Sequence, residues 1–115
     1  MRKITTFLIL FLASNAFAKS GNEFHDLIQT NRHDAIYYIQ GVMDSQAHRL
    51  DYDEVVAKIE KKTIDRHNYV CIPNGTTYGQ AFDIIKNYLQ ANPAERNNNA
   101  SSLIFWAFIE VWRCQ

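Results

Sequence analysis

Long stretches of one charge are missing from this chain. Its 12 lysines and arginines face 12 aspartates and glutamates, and no basic block is longer than Lys61-Lys62. Nucleic acid is therefore excluded as an expected partner, because phosphate backbones are held by clustered cations. A polybasic membrane-surface patch is excluded for the same reason. The motifs that usually carry chemistry are missing too. There is no glycine-rich phosphate loop, and none of Ser14, Ser20, Ser45, Ser101 and Ser102 lies in a Gly-x-Ser-x-Gly elbow. His25, His33, His48 and His67 are the only histidines, and none pairs at i, i+4 as a helical metal site would require. Asp51, Asp53 and Glu54 sit at an expected helix start, where negative charge opposes the helix dipole favourably. The residues nominate no catalytic group, metal site or cofactor site, so a non-enzyme is expected.

The apolar run Ile4 to Leu12 is too short for a hydrocarbon core, which needs about 20 residues. Arg2 and Lys3 precede it, and Ala16-Phe17-Ala18 follows with small residues at the two positions a signal peptidase reads. Residues 1–18 therefore read as a secretion signal cleaved after Ala18, rather than a retained membrane anchor. The expected product is residues 19–115, exported to the periplasm as a single domain with no membrane attachment. Losing Arg2 and Lys3 leaves it slightly acidic.

Both cysteines, Cys71 and Cys114, lie in the mature part. An even count in an exported chain favours a disulfide over two free thiols, and no Cys-x-x-Cys spacing suggests a redox pair. Closing so long a loop would stabilise the fold by about 4 kcal/mol in the chain-entropy model.

Apolar residues recur at helical spacing. Phe24, Ile28, Ala35, Ile39 and Val42 mark one face of a first helix over roughly residues 23–49, with Gly41 inside it where a close neighbouring helix would explain a glycine. Asp51 and Glu54 form a capping box that opens a second helix, with Tyr52, Val55, Val56 and Ile59 as its buried stripe. A polar loop, Asp65 to Asn68, precedes the turn chemistry of Cys71-Ile72-Pro73-Asn74-Gly75. Thr77 and Gln80 cap a third helix, whose face is Tyr78, Ala81, Phe82, Ile85 and Leu89. Asn92-Pro93-Ala94-Glu95 then opens a fourth helix that ends near Trp112, with Ala100, Leu103, Ile104, Ala107, Phe108 and Val111 as its main stripe. The expected fold is all-α: a compact bundle of about four helices with one disulfide. The short connection between helices three and four makes them antiparallel, which brings Cys71 beside Cys114.

The fourth helix has a second apolar stripe, Phe105, Ile109 and Trp112, with Trp106 beside it. A helix apolar nearly all round is either central in its fold or covered by another chain, and both readings stay open. Two partner-binding surfaces follow: the stripe Phe105, Trp106, Ile109 and Trp112, or the polar loop around His67 with Tyr69. A loop held beside a staple loses little entropy on entering a cleft. The histidines leave pH sensing open.

Tyr37-Tyr38-Ile39-Gln40-Gly41-Val42-Met43-Asp44 resembles the Tyr-x-x-Gly-x-x-Asp stretch of the Rap/Tai-type immunity proteins of type VI secretion. Cys71-Ile72-Pro73, Thr77-Tyr78-Gly79-Gln80, Tyr88-Leu89 and Asn92-Pro93 are similar to that family's second signature, and Ala100 to Cys114 to its cysteine-ended last helix. Here the end is Arg113-Cys114, where the family often has Pro-Cys. The resemblance implies a periplasmic, disulfide-bonded helical protein, often a homodimer. Such a protein binds a secreted effector, a peptidoglycan-cleaving hydrolase, and inhibits that enzyme by covering its cleft. A different class, a periplasmic acid-stress chaperone, is the alternative, motivated by the histidines, the acidic residues and the extra apolar stripe.

Overall fold

The computed structural model describes residues 18–115, so the export-signal reading falls almost entirely outside the described residues. Among the described residues there are four α-helices: α1 (Gly21–Thr30), α2 (Arg32–Glu60), α3 (Tyr78–Ala91) and α4 (Ala100–Trp112). Short 3-10 turns occupy Arg66–Asn68 and Pro93–Glu95. No helix among the described residues is long and apolar enough to cross a membrane.

The all-α expectation holds, but the first two helices are divided elsewhere. The chain breaks at Asn31, whose extended backbone ends α1 and whose side chain accepts from the Asp34 amide to start α2. Ser20 and Glu23 form a complete capping box at the start of α1. The expected boundary at Asp51 is absent, because α2 runs straight through it to Glu60. Asp53 and Glu54 instead bind outside their own helix: Asp53 accepts from the Tyr69 hydroxyl and Glu54 from Arg66. Glu54, which the capping box needs, is taken by Arg66, and no glycine or proline lies between Gly41 and Glu60 to stop the helix. Tyr52, Val55 and Ile59, expected to be buried, are exposed.

The fourth helix also starts later than expected. Pro93–Glu95 forms only a single turn, and the asparagine-rich segment after it stays irregular. Its carbonyls take other donors: Gly21 N–H donates to Asn98 O at 2.8 Å and Asn22 N–H to Arg96 O at 2.7 Å. These are first-turn amides of α1, which have no partner within their own helix. The loop therefore seats α1 instead of lengthening α4.

The core is a single cluster around α4. Leu103, Ile104, Ala107 and Phe108 pack with Phe24 and Ile28 of α1, Ala35, Ile39 and Met43 of α2, and Ala81, Phe82, Ile85 and Leu89 of α3. This answers the open question about α4 for most of its circumference, which touches the other three helices. Ile109 is buried with that core, whereas Val111, expected inside, is exposed. Cys71 and Cys114 form the expected disulfide, with Cα atoms 4.9 Å apart. Cys71 N–H donates to Trp112 O at 2.7 Å and Cys114 N–H to Tyr69 O at 3.0 Å, so the staple closes a short antiparallel backbone pairing.

Candidate functional site

Two of the four apolar side chains in the second α4 stripe are withdrawn from the surface. Ile109 is buried, and Trp112 is half-buried against Phe108 with ring centroids 5.1 Å apart. Phe105 is half-buried, while Trp106 is 52% exposed and meets the Phe105 ring edge-on at 5.3 Å. An exposed tryptophan steadied by a second aromatic ring is a preorganised contact, because little side-chain entropy remains to be lost.

The polar loop adjoins this edge. Asp65 caps the turn Arg66–Asn68, accepting from the His67 amide at 3.1 Å and lying 3.0 Å from His67 Nδ1. These contacts hold the Asp65 carboxyl below its ordinary range, chiefly through the His67 ring hydrogen bond. Arg113, at the end of α4, donates to His67 O at 2.9 Å. Arg49 of α2 lies 4.7 Å from the Tyr69 ring and 5.5 Å from the Phe105 ring. Arg49, Asn68, Phe105, Trp106, Ile109 and Arg113 consequently line one small hollow. The stripe and the loop, treated in the sequence as two separate surfaces, are neighbouring parts of one. Neither arginine was legible as a site residue, since each reaches the hollow only through the packing of α2 against α4.

On the other side of Trp106 a groove of about 750 Å³ runs between α2 and α4. Tyr37, Gly41, Ser45 and Arg49 are among its α2 residues, and Ser101, Phe105 and Trp106 among those of α4. Gly41 does not receive a neighbouring helix as expected. A Cβ added there meets nothing within 4 Å. Tyr38 also lines the groove, its ring tilted against Phe24 at 5.1 Å, and burial raises its phenol pKa against the opposing effect of hydrogen bonding with Ser101.

The histidines are exposed or half-buried, and among the described residues no group of His, Cys, Asp or Glu is arranged to hold a metal ion. Fold and surface thus define a small, disulfide-closed helical protein with an exposed aromatic edge at Trp106. The chain belongs to the Rap1a immunity protein family, whose family model matches residues 20–114. No curated protein and no solved structure gives a significant match.

Proposed function

We propose that this protein is a periplasmic immunity protein that binds a type VI secretion effector, a peptidoglycan-cleaving hydrolase, and inhibits it by covering its active site. Export through residues 1–18, cleavage after Ala18 and pairing as a homodimer belong to the same reading. The family match over residues 20–114 carries it. The oxidised Cys71–Cys114 pair supports an oxidising compartment. The edge formed by Phe105, Trp106, Arg49 and Arg113 supports a protein-binding role, since Trp and Arg are enriched among residues that dominate binding energy.

The test uses the tagged, exported protein as bait against the producer's own secreted and periplasmic proteins at pH 7. The expected result is one stoichiometric cell-wall hydrolase that loses its activity when an equimolar amount of the bait is present. Deleting the immunity protein should then make cells sensitive to their sisters. If no hydrolase is captured and the deletion strain stays resistant, the proposal is wrong.

The chaperone alternative requires contacts that protonation would break. Among the described residues no polar or charged side chain is buried, so acid has little inside the core to act on.

A further inference from the structure

The groove between α2 and α4 has the volume of a small-ligand site, about 750 Å³. Its lining recurs at four-residue steps, with Tyr37, Gly41, Ser45 and Arg49 on α2 and Ser102 and Trp106 on α4. Residues four apart share a helix face, so the groove follows α2 for about 18 Å. Aromatic rings dominate its apolar part. Tyr37 and Trp106 are each more than half exposed, and Val42 is the one aliphatic side chain. Such a lining suits the flat apolar face of a sugar ring better than an alkyl chain. Ser45, Gln46 and Ser102 add hydroxyls and an amide that can both donate and accept. Arg49 is the only charged side chain of the groove. Its carboxylate neighbour Asp53 lies 3.9 Å from Nε and already accepts from Tyr69, which leaves the outer edge of the guanidinium for a second carboxylate. Gly41 is an independent sign of a ligand. A glycine inside a helix destabilises it relative to alanine, yet a Cβ here would meet nothing within 4 Å. Bare backbone in the middle of a groove instead allows a ligand to approach closely.

We infer that this groove binds a small sugar bearing a carboxylate, with the ring against Trp106 and the carboxylate on Arg49. Trp106 and Arg49 lie at the same end of the groove, since both also line the hollow beside Asn68 and Arg113. The serine hydroxyls and Gln46 then face the rim of the ring, where its own hydroxyls lie. The inference goes beyond the immunity role proposed above and does not depend on the effector.

N-acetylmuramic acid is the probe, and N-acetylglucosamine, the same ring without the lactyl carboxylate, is the comparison. Each is titrated into the exported, oxidised protein while the Trp106 indole N–H signal is followed by NMR. The acid is expected to saturate with a Kd of about 1 mM, roughly tenfold tighter than the neutral sugar. Arg49→Gln should remove that preference. Gly41→Gln should abolish binding of both sugars by filling the groove. It should not lower the thermal midpoint, because the position is open in the fold, so lost binding is not lost folding. Equal affinity for the two sugars overturns the carboxylate contact and with it the proposal. Binding that survives Gly41→Gln overturns the groove as its place. If acetylphenylalanine binds and the sugar acid does not, the groove takes a peptide end and the proposal is wrong. Refusal of all three probes, as a groove kept for a macromolecule would show, overturns it as well.

Discussion

The Tyr69 hydroxyl donates to Asp53 Oδ2 at 2.7 Å and so ties the segment before the disulfide to the distal half of α2. Arg49, one turn back on α2, sits over the same ring and 3.9 Å from the same carboxylate. Through Cys71–Cys114 the link continues to the end of α4. The aromatic edge at Trp106 therefore stands on a frame fixed from two sides.

That frame should make stability fall at alkaline pH. The Tyr69 phenol pKa is raised above 10.0, chiefly because its proton is held by Asp53. Tyr38 and Tyr88 are also raised, in both cases chiefly by burial, with Glu95 adding to the effect at Tyr88. A raised folded-state pKa favours the protonated native form. Its contribution is full below the unfolded value and is lost as pH rises through the folded one. Thermal midpoints should hold up to about pH 9 and drop beyond about pH 10, with a shallower drop for Tyr69→Phe. Identical profiles for the two proteins would count against the Tyr69–Asp53 link.

Gly21 and Gly41 should respond to alanine with opposite signs. At Gly21 a Cβ would strike the Leu103 side chain and come within 2.7 Å of Arg96 O. Gly21→Ala should cost about 1–3 kcal/mol through overpacking, lowering the thermal midpoint by several degrees. At the open Gly41 the same change should stabilise the monomer by roughly 0.5–1 kcal/mol. Chemical denaturation of the two variants, at concentrations low enough to keep the chain monomeric, checks both.

Reducing Cys71–Cys114 should lower stability by about 4 kcal/mol, the chain-entropy value for a loop of this length. Guanidinium unfolding with and without reductant measures it. A change well below 2 kcal/mol would mean that the backbone pairing at Cys71 and Cys114 holds the ends together without the bond.

Trp106→Ala should leave the thermal midpoint nearly unchanged, because the side chain is half in solvent. It should weaken effector binding by about 2 kcal/mol or more if Trp106 anchors the contact. His67→Ala should have a smaller effect, acting through the loop that Asp65 and Arg113 hold. Calorimetric titration against the captured hydrolase separates them. Equal wild-type affinities in both variants would remove this surface as the contact site.

Helix α3 was legible because its signals are local. Thr77 caps α3 by accepting from Gln80 N–H, and Ala81, Phe82, Ile85 and Leu89 are buried at helical spacing. The disulfide followed from the even cysteine count in a chain expected to be exported, and the short α3–α4 connection agreed with it. Helix boundaries elsewhere were not local. Asn31 breaks the chain in the middle of a continuous apolar periodicity, while the stronger-looking Asp51–Glu54 signal lies inside α2. The expected box needs Glu54 to reach back to Asp51, and Glu54 accepts from Arg66 instead, so nothing ends the helix there.

The sequence alone determined the helical class, the staple, the likeness to an immunity family and most of the buried positions of α3 and α4, though not Tyr78 or Val111, since spacing, caps and motif order are one-dimensional. Only the tertiary structure decided which apolar positions stay outside. Val55 and Ile59 have the period of buried residues, but among the described residues no element packs over the distal outer face of α2. Burial depends on what lies opposite a face, and that is settled when the helices pack.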